Sequence, residues 1–458
     1  MQYLEPIRAA QSDAQALEEL YQGARHDHME EEFARDVLAL HQESPDNLLY
    51  AAWHYRLQPG PAAASVTPLA VVETPTRLVE AAKGTNWLLA VPFGLIAGVI
   101  VWWLTGPSFF TGAKSIDHGL NVALAIAPIE AFFAIAFLTL TSRKHWLQSL
   151  LAILGMAALY FYVTRFTNVQ NANPNAVTGQ YPILMVLHIP LLAWIAVGLS
   201  LLGLKRDNPG RFAFLVKSLE VLITGSIYGA GALVFSGITM GLFAALNVHF
   251  SEAVMRLLTA GVGGAIPVLA VATVYDPHLS PYEQRFEEGL GKLISILMRL
   301  LLPLTLLVLS IYVVFIPFNF QAPFRSRDLL IVYNAMLFAI MGLLIGATPV
   351  RRPEPSSGYA KALRWGILVL VILATVVSLY AMSAIVYRTL QGALTPNRLT
   401  VIGWNTINIA ILIFLMVKLF KSGQERWVEA VHTAIGTGAM AYIAWTTLLI
   451  LALPLLFR

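Results

Sequence analysis

From Trp87 onward the chain reads as a succession of long apolar runs, each ended by a short polar segment. A membrane-crossing helix needs about 20 apolar residues. Eleven runs of that order can be drawn, at about 87–104, 119–140, 146–162, 182–204, 212–246, 255–275, 292–316, 329–348, 365–387, 399–420 and 431–455. The fifth is too long for one upright crossing. It predicts a steeply tilted helix, a helix preceded by an interfacial stretch from Phe212 to about Leu219, or two separate spans. Two spans would invert every later loop.

Ahead of Trp87 the pattern changes to the period of amphipathic helices. Ser12 and Asp13 read as the cap of a helix running to about Gly23, with Ala14, Leu17, Leu20 and Tyr21 on one face. Phe33, Val37, Leu38 and Leu40 form a second stripe after the acidic Glu30, Glu31 and Glu32. Ser44-Pro45-Asp46 reads as an N-cap followed by proline at the first helical position, opening a third helix through Leu49, Ala52, Trp53 and Tyr55. Pro59, Pro61, an alanine run, Pro68 and Pro75 then mark a linker. The expected organisation is an all-α polytopic membrane protein: a helical domain at 1–58, a linker at 59–85 and a transmembrane domain at 86–458. Three short helices bury little core, so the head is expected to lean on another surface.

Composition makes lipid the solvent for most of the chain. Apolar residues are 57% of the total and charged ones 12%, about half the charged share of soluble domains. The formal charge of +4 hides a division: residues 1–80 sum to −8 and the remainder to +12. No signal peptide precedes the first long apolar run, so the acidic head is expected to stay on the side where it is made. With the head cytoplasmic, the inside loops carry 14 basic residues, among them Arg143, Lys144, Arg211 and Arg351, against 8 outside, which obeys the positive-inside rule. An acidic soluble part is unsuited to nucleic acid, and the lipid bilayer is the first partner implied. There is no cysteine, which excludes disulfides and thiolate chemistry.

Ionisable residues inside a bilayer are costly and each needs a reason. Glu130 falls near the middle of the second span, two residues after Pro128; it is a candidate proton or ion site, or else a carboxyl hydrogen-bonded to a neighbouring helix. Lys217 and Glu220 lie three apart on one helical face and can pair. Arg299 enters the seventh span about 10 Å deep at the helical rise, where it either snorkels to the surface or pairs with Glu130 or a lipid phosphate. His188 reads as a packed histidine, and Asn405 and Asn408 beside Trp404 as an interhelical polar stripe. Gly225 and Gly229, Gly237 and Gly241, and the Gly261, Gly263, Gly264 set have the spacing of close helix contacts. Phosphate-binding loops, zinc-helix motifs and nucleophile elbows are missing. His26-Asp27-His28 with Glu30 to Glu32 reads as a solvated acidic surface rather than a metal site. No catalytic, metal or cofactor residue is assigned.

The run Leu301-Leu302-Pro303-Leu304 with Ile311-Tyr312, and the stretch from Ile385-Val386-Tyr387-Arg388 to Leu394-Thr395-Pro396-Asn397-Arg398 with Trp404 beyond, carry a resemblance. They resemble a widespread family of polytopic bacterial membrane proteins catalogued as a domain of unknown function (DUF4153-like), over about residues 200–420. Gly392-Ala393-Leu394-Thr395 stands where that family usually has Tyr-Gly-Leu-Thr. The resemblance implies a bacterial inner-membrane protein and supplies no activity. Physically the motif reads as a tight turn between spans: Pro396 stops one helix, Thr395 caps the next, and Arg388 and Arg398 flank the turn as anchors for a lipid or another anion.

Two functional classes follow. In the first the chain is a non-enzymatic scaffold or subunit, binding a protein partner through residues 1–58 and the glycine faces at Gly225, Gly229, Gly237 and Gly241. In the second it is a transporter or channel for protons or a small anionic solute, using Glu130 with Arg299 or His188.

Overall fold

A computed structural model describes residues 3–11, 13–26, 29–44, 47–57, 85–106, 116–167, 179–203, 207–248, 250–351, 353 and 358–457. The chain divides into two compact units, residues 1–80 and 81–458. The linker expected at 59–85 falls almost wholly outside the described residues.

Among the described residues the first unit has four helices, α1 (Leu4–Ala9), α2 (Ala14–His26), α3 (Glu30–Glu43) and α4 (Leu48–Leu57). The six-residue α1 is one more than the apolar stripes predict, because so short a segment shows no periodicity. Leu17 of α2, Phe33, Val37 and Leu40 of α3, and Trp53 of α4 close on Ile7 of α1. Phe33 meets Trp53 edge to face at 5.8 Å, a favoured aromatic geometry. Asp13 caps α2, its Oδ1 accepting from the Gln15 and Ala16 N–H groups at 3.0 and 3.1 Å. Pro45 and Asp46 of the expected Ser44-Pro45-Asp46 cap lie outside the described residues; Asn47 caps α4, accepting from the Leu49 and Tyr50 N–H groups at 2.9 and 3.3 Å. Asparagine is as good an N-cap as serine, and it stands immediately before the apolar stripe.

The second unit carries eleven helices long and apolar enough to cross a membrane among the described residues, so the protein is an all-α multi-pass membrane protein. They are α5 (Trp87–Thr105), α6 (Ile116–Ser142), α7 (Trp146–Phe166), α8 (Gln180–Leu202), α9 (Asn208–Ala245), α10 (Glu252–Val274), α11 (Gly289–Phe315), α12 (Arg327–Ala347), α13 (Gly358–Leu390), α14 (Pro396–Ser422) and α15 (Trp427–Leu456). The long fifth run is one unbroken helix of 38 residues, about 57 Å at the helical rise against a hydrocarbon core of about 30 Å. No glycine–proline pair or π-turn interrupts it, so the loop order is not inverted. Its start is fixed locally: Asp207 accepts from the Gly210 N–H at 2.8 Å with Pro209 in the first turn.

Contacts between loops confirm the alternation. Lys144 in the α6–α7 turn donates to the His278 carbonyl in the α10–α11 loop at 3.3 Å. Gly436 near the start of α15 lies against Asn208 at the start of α9. At the other end of the bundle, Gln180 at the start of α8 accepts from the Asn397 N–H at the start of α14, at 3.1 Å. Two apolar clusters make up most of the interior. One joins α5 to α8 and α10, and the other α11 to α15. The first turns of α9 wedge between them, placing Phe212 in the C-terminal cluster and Phe214 in the N-terminal one. Gly198 of α8 makes room for this, because a Cβ there would stand 2.9 Å from the Phe214 ring.

α5 crosses α10 backbone to backbone. Gly98 lies so close to Gly261 that an added Cβ would be 2.3 Å from the Gly261 carbonyl oxygen, and Gly264 faces Val101 at 2.8 Å. Glycine is required here for close backbone approach. α10 widens into a π-helical turn at Leu257–Gly261 beside this contact.

Candidate functional site

Glu130 is the most isolated polar group in the interior. It is 5% exposed, and neither carboxyl oxygen has a hydrogen-bond partner. Its helix explains the placement. Ala131 and Ala134 pack with Ala193, Ala196 and Val197 of α8 and with Ala270 and Val271 of α10, so α6 is drawn into the N-terminal cluster with its carboxyl inside. Pro128 has no N–H, which leaves the Leu124 carbonyl without its helical donor two turns from that carboxyl. A buried, unpaired carboxyl is an expensive group to keep.

The other ionisable candidates, Arg299, Lys217 and Glu220, are engaged elsewhere. Arg299 donates through Nε to the Ala347 carbonyl at 3.2 Å and lies over the Tyr359 ring at 5.9 Å, so it serves the α11–α12 contact and does not pair with Glu130. Lys217 and Glu220 pair at 2.6 Å with side chains 4% and 12% exposed. The Lys217 ammonium also sits 5.1 Å over the Phe286 ring, tying α9 to the α10–α11 loop.

His188 of α8 belongs to a network at the meeting of α8, α12, α14 and α15. Its Nδ1 is 2.8 Å from the Leu184 carbonyl, and the Trp404 Nε1–H donates to its Nε2 at 3.2 Å. A carbonyl can only accept and an indole N–H can only donate. The imidazole is therefore neutral and protonated on Nδ1. Trp404 continues onto Tyr442 at 5.3 Å between ring centroids, and Tyr442 donates to Asn408. Asn405 donates to Asn334 of α12 at 2.6 Å, while the neighbouring Tyr333 bonds Tyr312 of α11. The stripe of Asn405 and Asn408 was legible in the chain. Its partners Asn334 and Tyr442 were not, because each lies in an otherwise apolar run with nothing to mark which helix it faces.

A second buried cation escaped sequence reading. Arg256, 7% exposed, donates to the Trp102 carbonyl at 3.1 Å, and the Trp102 indole returns a bond to the Ala253 carbonyl at 2.9 Å. This clasp anchors the π-helical end of α10 to α5. His432 packs on Phe212 at 4.2 Å and bonds the Pro349 carbonyl at 3.1 Å.

In the 388–398 turn the expected Thr395 cap is present, but α13 already ends at Leu390, so Pro396 opens α14 and is not what stops the preceding helix. Thr395 accepts from the Arg398 N–H at 3.3 Å and Pro396 occupies the first turn of α14. Arg398 folds back to donate to the Ala393 carbonyl at 2.7 Å, and Gly392 makes room for that guanidinium. One Arg388 nitrogen, Nη1, is buried without a partner.

The glycine faces divide in two. Gly94, Gly98, Gly261 and Gly264 are filled by the α5–α10 crossing, and Gly225 has ordinary contact with Ile266 and Ala270. Gly229, Gly231, Gly237 and Gly241 of α9 have open space where a Cβ would stand, as does Gly263. The spacing at Gly229, Gly237 and Gly241 is thus not used by a contact among the described residues. Among the described residues no group of three or more histidine or acidic side chains is placed to hold a metal, and Asp27 and His28 lie outside those residues.

No family model, curated protein or solved structure matches the chain.

The site thus consists of dispersed intramembrane polar groups, most of them paired, with Glu130 unpaired.

Proposed function

We propose that this protein is a non-enzymatic scaffold or subunit of a membrane assembly, seated in a bacterial inner membrane with its acidic head in the cytoplasm. The observation that carries the reading is the open pair Gly237 and Gly241, four apart on one face of the distal half of α9. Each glycine in a helix interior costs about 1 kcal/mol relative to alanine, and a Cβ at Gly229, Gly231, Gly237 or Gly241 would meet no neighbour among the described residues. The same chain uses glycines at Gly98 and Gly261 to bring two helices together, which is what such glycine faces do in membranes. A transmembrane helix of another chain is the occupant that fits. The paired state of Lys217, Glu220, Arg299 and His188 supports structural roles for them. The resemblance around residues 388–398 and the bias of basic loops support the location and orientation.

The test is gentle extraction of the full chain from its own membrane, followed by identification of stoichiometric partners. The same is done for Gly237→Leu with Gly241→Leu, and for a chain lacking residues 1–58. A partner lost from either variant establishes the reading. A lone protein, or partners indifferent to both changes, sinks it.

One observation favours a second reading, transport of protons or a small anionic solute: Glu130 is buried with both oxygens unpartnered. Proton flux into vesicles containing the purified protein, abolished by Glu130→Gln, is its expected signature.

A further inference from the structure

At the end of the bundle that carries the α6–α7 turn, that turn, the last residues of α8 and the 275–288 loop enclose a polar pocket of about 130 Å³. This is several times the ~30 Å³ that a water molecule occupies in the liquid. Lys144, His145, Ser149, His278 and Glu283 are among the residues lining it. We propose that it binds a phosphate-bearing group, and that the group is the headgroup of a membrane phospholipid.

The donors outnumber the acceptors. The Lys144 ammonium spends one bond on the His278 carbonyl and keeps two further protons. Ser149, 4% exposed, receives the Thr139 hydroxyl at 2.7 Å, which leaves its own proton to donate. The His145 and His278 rings are exposed at the pocket and add two nitrogen-bearing walls. α7 begins at Trp146, so the unpaired N–H groups and partial positive charge of a 21-residue helix face the same turn. The single carboxylate, Glu283, is partly occupied by the Ser280 N–H at 3.0 Å.

A lipid is favoured over a soluble phosphate by what adjoins the pocket. Leu147, Leu150, Leu151 and Leu154 are all exposed, and their spacing puts them on one face of α7. That face starts at the turn which walls the pocket and runs into the apolar layer. Trp146, 55% exposed, marks the level of the membrane interface. Ser149, which lines the pocket, lies on the opposite side of α7 from those leucines, so the strip and Trp146 fix the level of the pocket: its cationic and hydroxyl donors stand at the depth of phospholipid headgroups.

The experiment is native mass spectrometry of the full-length protein from detergent micelles containing phosphatidylethanolamine and phosphatidylglycerol. Wild type is expected to retain one phospholipid. Lys144→Gln weakens retention roughly tenfold, the loss of one charge-assisted bond. Glu283→Gln strengthens it, a gain that misfolding cannot mimic. Lys292→Gln, at an exposed lysine outside the pocket, leaves it unchanged. Loss of retention in Lys144→Gln and Lys292→Gln alike, or no effect of Lys144→Gln and Glu283→Gln, overturns the proposal. Titration with inorganic phosphate in lipid-free detergent separates the sources. Lys144-dependent phosphate binding without Lys144-dependent lipid retention overturns the lipid and leaves an aqueous phosphate.

Discussion

Adding one methyl group at Gly98 tests a backbone-to-backbone contact between two spans. The new Cβ would stand 2.3 Å from the Gly261 carbonyl oxygen, where heavy atoms ordinarily approach to about 3.5–4.0 Å. The obstructing atom is backbone, so no side chain can swing aside, and α5 and α10 must separate by more than ~1 Å. Overpacking of this kind costs about 1–3 kcal/mol. Separation also strains the Arg256 and Trp102 clasp, whose two bonds are 3.1 and 2.9 Å long and contribute about 1 kcal/mol each. A total near 3 kcal/mol follows for Gly98→Ala. Gly237→Ala makes the same chemical change in open space, and the better helix propensity of alanine stabilises it by up to about 1 kcal/mol. The assay is thermal unfolding of the purified full-length protein in mild detergent, followed by tryptophan fluorescence. At about 2 °C per kcal/mol for a chain of this size, Gly98→Ala melts about 6 °C lower and Gly237→Ala melts level with wild type or slightly higher. A Gly98→Ala protein that melts with wild type would refute the close approach of α5 and α10. Equal losses in both variants would refute the distinction between filled and open glycines.

Three further outcomes are expected. Glu220→Gln strands the buried Lys217 ammonium and costs about 3–5 kcal/mol, whereas Lys217→Met combined with Glu220→Leu recovers most of it; a double-mutant cycle in thermal stability checks this, and additive losses would contradict the pairing. Trp404→Phe removes the donor to His188 Nε2 and costs about 1–2 kcal/mol; nitrogen NMR of the wild type should find the His188 proton on Nδ1, and a proton on Nε2 would disprove the network. Hydrogen bonds from the Ser280 backbone and side chain, with Lys144 nearby, hold the Glu283 carboxyl below its ordinary 4.5. A depressed carboxyl stabilises the fold above its unfolded value and loses that contribution as pH falls through the lower folded one. Hydrogen-exchange protection of the Ser280 amide, corrected for intrinsic rate, should therefore be constant above pH 4.5 and fall only below it; a fall beginning above that value would be inconsistent.

The membrane architecture was legible because lipid imposes a one-dimensional rule. Each crossing must satisfy its backbone within one segment and present about 20 apolar residues, so α5 to α15 appear in the chain as runs within a few residues of their actual ends. The Thr395-Pro396 cap and the Lys217–Glu220 pair were equally legible, since both are contacts between residues three apart. The four-helix count of the head was not, because α1 is a single turn and a half and leaves no periodic trace.

Long-range choices lay outside the reach of the chain read linearly. Gly98, Gly229, Gly237 and Gly261 are the same residue in similar apolar surroundings, yet two are filled and two are open. The difference lies in which helix happens to cross, and crossing partners are set by packing between segments more than a hundred residues apart. The same holds for Arg256, counted as a loop charge until Trp102 closes over it, and for His188, whose tautomer depends on Trp404 on another helix. Local pattern decided what crosses the membrane and where it turns, through backbone satisfaction and hydrophobic length. Only the tertiary structure decided which polar groups found partners, because a partner in a bilayer is a matter of which helix lies alongside, and apolar sequence does not encode that in any short window.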